Sequence, residues 1–148
     1  MVADARMRLD AALKIWMARA ARTQAIWGHT DCTLIWANVI RDALGYDPAA
    51  LYRGKFWSPG GLKRVLGVGG LEAALDLTAE KYSWRLITPD HAIVGDIGMV
   101  RVPVGGPLTR RVVTITAICR APDWFVLRGV AGFSACRAKV VKKAWAVV

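Results

Sequence analysis

The chain has 148 residues, 55% of them hydrophobic, and a mean hydropathy of +0.31, enough apolar material for one domain with a real core and too much for a disordered tail. Its 21 Lys and Arg against 11 Asp and Glu give a net charge of +10 and a pI near 10.2, which attracts polyanions and acidic partner surfaces. Three scattered cysteines without a Cys-x-x-Cys pair exclude a disulfide framework and a zinc knuckle, and the two histidines cannot form a histidine-rich metal site unaided, so neither metal nor cofactor is expected.

Residues 4–23 place Met7, Leu9, Leu13, Trp16, Met17 and Ala20 at near-helical spacing, with arginines and Lys14 between them. A turn around Trp27 and Gly28 interrupts. A second helix is expected over 31–44, with Thr30 or Asp31 as its cap, a stripe of Cys32, Ile35, Trp36, Val39, Ile40 and Ala43, and Gly45 at its end. Tyr52, Arg53, Lys55, Phe56 and Trp57 make an aromatic and basic loop. Ser58 followed by Pro59 reads as the cap and first residue of a short helix reaching Leu66, and a further helix follows over 71–80.

The character then changes. Residues 93–103 read as a strand with a glycine break, 104–108 as a hairpin connection, and 111–118, rich in Val, Thr and Ile, as a strand. A turn at 121–123, a strand at 124–127, a loop at 129–132 and a closing strand at 142–148 complete the chain. The order predicts an α+β fold: N-terminal helices packed on one side of a small, strongly bent antiparallel sheet. It reads as one domain over 1–148, with an N-terminal helix at 1–26, a helical half at 27–80 and a β half at 92–148. The first residues lack a targeting signal, and no uncharged apolar run is long enough for a membrane span, so synthesis in a cytoplasm is expected. Basic residues are spread along the chain without a nucleic-acid motif, which favours partner complementarity over nucleic-acid binding.

Trp27-Gly28-His29-Thr30-Asp31-Cys32 is the segment with the most chemistry in it. A cysteine where a turn becomes a helix feels the positive end of the macrodipole, which favours the thiolate. Together with Arg53-Gly54-Lys55-Phe56 and its following helix, and with Ala92-Ile93-Val94-Gly95-Asp96-Ile97, it resembles the NlpC-type papain-like peptidoglycan peptidases. The similarity is greatest to a short, divergent branch encoded in tailed-phage and prophage tail clusters, and it covers the chain from about Trp27 to Trp145. The resemblance implies a papain-like fold with Cys32 at the nucleophile position. It also implies a location in the virion tail after synthesis in the bacterial host cytoplasm, with other tail or baseplate proteins as partners.

In active members a histidine at the start of the strand after the Gly-Asp strand is the base. Here that strand begins Thr109-Arg110-Arg111-Val112 and carries none. A positioned acid–base group contributes about 10²–10⁴-fold, so the resemblance implies a tail-tip structural or adaptor protein whose catalysis has degenerated. The alternative is a cysteine peptidase that cleaves peptidoglycan during genome entry, with His91 or His29 as base. The plainer reading of both histidines is a loop side chain satisfied by solvent or backbone, and that of Asp96 is a turn residue bonding nearby amides. Tyr52, Arg53, Lys55, Phe56 and Trp57 form either a docking loop or a loop folded over the core.

Overall fold

A computed structural model describes residues 1–129 and 132–148. Among these residues four α-helices come first: α1 (Val2–Ala20), α2 (Ile35–Leu44), α3 (Pro59–Leu66) and α4 (Gly70–Lys81). Six strands of the described residues follow: β1 (Arg85–Ile87), β2 (Ile97–Val104), β3 (Arg111–Ala121), β4 (Trp124–Gly129), β5 (Gly132–Arg137) and β6 (Val141–Ala146). They form one open sheet in the order β1-β6-β2-β3-β4-β5, every neighbouring pair antiparallel. The α+β expectation is met at this level. Register shifts at Met99/Val100 and at Cys119/Ala121 interrupt the ladders on either side of β2 and β3, and such irregularities bend strands.

The period of 2 along the strands divides the core. Ile97, Met99, Ile118, Val126 and Trp145 meet the helices, where Leu9 and Leu13 of α1, Trp36, Val39 and Ile40 of α2, and Leu75 of α4 are buried against them. The alternate residues Val100, Ile115, Ala117, Phe125, Val141 and Ala144 make a second cluster. Ser58 Oγ accepts from the Gly61 amide at 3.1 Å and Pro59 opens α3, as the local sequence predicts.

Two strands were not legible in the sequence. β1 has only three residues, too few for a period. β5, Gly-Phe-Ser-Ala-Cys-Arg, lacks β-branched residues and is held by pairing to β4 from Trp124↔Arg137 to Gly129↔Gly132. Of the expected loop at 129–132, Gly129 and Gly132 are paired across the ladder, and Val130 and Ala131 lie outside the described residues. The strand expected from Ile93 starts instead at Ile97, because the four preceding residues form a turn closed by Asp96.

That turn anchors α1. Asp96 is buried and Arg6 of α1 reaches it at 2.6 Å, while Arg6 also donates to the carbonyls of Val94 and Val148 at 2.9 and 3.0 Å. Asp96 further accepts from the amides of Ile93 at 3.0 Å and Val147 at 3.1 Å. One carboxylate thus ties the first helix, the entry to β2 and the C-terminal segment together. Gly95 has φ +91°, and a Cβ there would lie 2.7–2.8 Å from Leu9, so glycine lets α1 sit directly on the turn. At the other end of α1, buried Arg128 of β4 donates to the carbonyls of Ala20 at 3.2 Å and Thr23 at 2.8 Å, a cation at a helix C-terminus.

Candidate functional site

The segment from Trp27 to Cys32 forms a turn stapled from three directions. Gly28 has φ +83° and its carbonyl accepts from the Gly54 amide at 2.9 Å; a Cβ on Gly28 would lie 2.3 Å from the Phe56 carbonyl oxygen. Backbone therefore approaches backbone where no side chain fits. Asp31 is buried and accepts from the Gly28 and Thr33 amides, each at 2.8 Å. Buried Asn38 on α2 donates to the His29 carbonyl at 2.9 Å, and Arg53 donates to Asn38 Oδ1 at 2.5 Å while gripping Asp47 with two bonds of 2.7 and 2.9 Å.

Asp31 caps this turn, but regular α2 begins only at Ile35, three residues past Cys32. The Thr33 carbonyl is taken by the indole N–H of Trp36. A macrodipole acts within about one turn of the helix start, and at Cys32 two nearer effects oppose it. Burial pushes the Cys32 thiol up from its ordinary value, and the neighbouring Asp31 carboxylate pushes it further, against a weaker opposing effect from the Thr33 hydroxyl. The expected thiolate-favouring cysteine is thus a thiol held neutral. Burial likewise raises Asp31 itself, partly offset by the amides of Thr33 and Gly28.

Among the described residues the sulfur has one hydrogen-bonding neighbour, Thr33 Oγ1 at 4.0 Å. The half-buried Cys32 side chain packs against the second core cluster. Both imidazoles lie elsewhere. His91 is exposed in a 3-10 turn, Pro89–His91, and its Nδ1 pairs with Thr88 Oγ1 at 2.9 Å. His29 is exposed on the turn, with its ring beside Gly54 and its carbonyl engaged by Asn38 and Arg53. The structure brings neither histidine into hydrogen-bond range of Cys32. Cys119 is buried in β3, its thiol pushed up to about 12 by burial and by the Asp96 carboxylate, and Cys136 sits half-buried in β5. Among the described residues no three His, Cys, Asp or Glu side chains are grouped to hold a metal ion.

The aromatic–basic loop divides in two. Phe56 is buried with its ring edge-on to Trp27 at 6.4 Å, Tyr52 packs on the core, and Arg53 is committed to Asp47 and Asn38. Lys55 and Trp57 face outward, Trp57 at 79% exposure. Half of the segment is therefore core cover and half is free surface. Among the described residues no helix is long and apolar enough to cross a membrane.

A family model matches residues 5–147, almost the whole chain, and its description is a domain of unknown function, DUF6950. The chain belongs to the DUF6950 family. The match takes in α1 and the Arg6–Asp96 anchor as well as the turn at Cys32, so the helix ahead of that turn is an integral part of the DUF6950 unit. No curated protein and no solved structure is detectably similar to the chain.

The sequence missed Arg6, Asn38 and Arg128. Arg6 had a signal: with Leu9 and Leu13 it lies at i, i+3 and i+7, a charge on the apolar face of a helix, which requires a buried partner. Its partner is 90 residues away, and spacing along a helix carries no information about that.

Proposed function

We propose that this protein is a structural or adaptor component of a tailed-phage or prophage tail tip, with an NlpC-like, papain-type domain that keeps the cysteine position without its chemistry. One observation carries the reading. Cys32 lies half-buried beside the Asp31 carboxylate, its thiol shifted away from the reactive form, with the Thr33 hydroxyl and no imidazole in reach. A cysteine hydrolase needs the opposite arrangement: a thiolate or a base to make one, and an acid to protonate the leaving amine. The polar side chains around the turn, Asn38, Arg53 and Asp47, are engaged with one another and with the His29 carbonyl, and hold it together.

The tail location and the tail or baseplate partners rest on the resemblance of the 27–32, 53–56 and 92–97 segments. The excess of basic residues and outward-facing Trp57 suit a protein seated among acidic partners. The experiment compares muropeptide release by the wild type and Cys32→Ala. The reading expects the same background release from both, and Cys32-dependent release would overturn it in favour of the peptidase. A protein that stayed monomeric and bound no tail component would overturn the adaptor role.

A further inference from the structure

The β2–β3 hairpin extends past the sheet that holds its base. β2 pairs with β3 over its full length, from Ile97↔Ile118 to Val104↔Arg111. On its other side β2 is paired with β6 only as far as Val100, and β3 is paired with β4 only from Ile118 onward. Among the described residues, 101–114 therefore form a two-stranded ribbon without a third strand on either edge. Residues 115–119 are buried, so the open part of the β3 edge is 111–114, where Arg111, Val112 and Thr114 are exposed and Val113 is half-buried. On β2, Pro103 removes one backbone donor, which leaves β3 as the edge with a complete set.

The ribbon's side chains are as unusual as its edges. No Asp or Glu occurs between Asp96 and Asp123, while Arg101, Arg110 and Arg111 all stand exposed on the ribbon. Arg101 is paired across the ladder with Thr114 and Pro103 with Val112, so Arg101, Val112 and Thr114 share one face. Leu108 at the tip is fully exposed and Val112 is more than half exposed. Unpaired strand edges are usually blunted by being short, covered or charged. Here charge of a single sign, with apolar residues between, repels a second copy of the ribbon and selects a partner of the opposite sign.

We propose that the β3 edge of this ribbon, residues 111–114, docks an acidic extended segment of a partner protein by strand addition. Backbone pairing at the edge would supply affinity, the three arginines would select carboxylates, and Leu108 and Val112 would take apolar side chains between them. Nucleic acid fits less well. Three cations would give a duplex affinity with a salt slope of only about −3, and the exposed leucine and valine have no counterpart on a phosphate backbone. The proposal rests on the adaptor reading for the existence of a partner; the partner's chemistry is argued from the ribbon alone.

The test titrates the whole protein with a short peptide of alternating glutamate and valine. Peptides with glutamine or lysine in place of glutamate, and a duplex DNA, serve as controls. Binding is read by fluorescence anisotropy, and backbone protection by hydrogen exchange. Saturable binding of the glutamate peptide, with slowed exchange confined to amides of 111–114, is the expected result. The combined Arg101→Ala, Arg110→Ala and Arg111→Ala variant should weaken binding about tenfold, with an unchanged melting temperature showing that it still folds. No binding, equal binding of the glutamine or lysine peptide, protection elsewhere, or binding of the duplex alone would each overturn it. Failure of the adaptor reading would appear separately, as Cys32-dependent muropeptide release.

Discussion

Replacing Asp96 by Asn tests the anchor that holds α1 to the sheet. The change keeps shape and removes one charge. The carboxylate serves Arg6 at 2.6 Å and the Val147 amide at 3.1 Å through one oxygen, and the Ile93 amide at 3.0 Å through the other. An amide has one acceptor oxygen, so it cannot serve both sides, and Arg6 becomes a buried cation without a counter-ion. Breaking a buried pair from one side costs about 3–5 kcal/mol. For a domain of this size each kcal/mol moves the melting temperature by about 2–4 °C, so a fall of about 6–20 °C is expected. Urea unfolding with an unchanged slope would show that the native state, and not the unfolded one, is affected. Arg6→Met combined with Asp96→Asn should lose less than the sum of the single changes, with a coupling of about 1–3 kcal/mol. A loss under about 1 kcal/mol for Asp96→Asn, or strict additivity, would refute the reasoning.

Two further outcomes follow from the turn at Cys32. Gly28→Ala should lower stability by about 2–5 kcal/mol, combining a left-handed backbone with a methyl driven onto the Phe56 carbonyl; a urea midpoint within error of the wild type would contradict the close backbone approach. Asp47 is raised by burial but lowered more by Arg53 and the Ala49 amide, so its folded value lies below the ordinary carboxylate range. The stability it contributes is present above the ordinary value of about 4 and is lost as pH falls through the depressed one. Between about pH 5 and pH 2 the wild type should therefore lose more stability than Asp47→Asn, and parallel pH profiles would contradict the Arg53 pair.

Local features could be read from the chain, and long-range ones could not. The cap at Ser58, the strands at 111–118 and 124–127, and the turn role of Asp96 follow from residue types that act on neighbours within a few positions. The partnership of Arg6 with Asp96, and that of Arg128 with the end of α1, join residues about a hundred positions apart, where only the assembled fold decides. At Cys32 sequence reasoning located the residue and reversed its electrostatics. The helix-start argument counted the macrodipole, but the Asp31 carboxylate one residue away, and burial, which only the folded turn reveals, are nearer and oppose it.

The most direct measurement of the central claim, that Cys32 is held as an unactivated thiol, is the pH dependence of its alkylation by iodoacetamide, resolved from Cys119 and Cys136 by peptide mass spectrometry. The account predicts a rate that keeps climbing past the ordinary thiol value of about 8.5, with no plateau at lower pH. A plateau already reached below about pH 7, as an activated nucleophile gives, would contradict it.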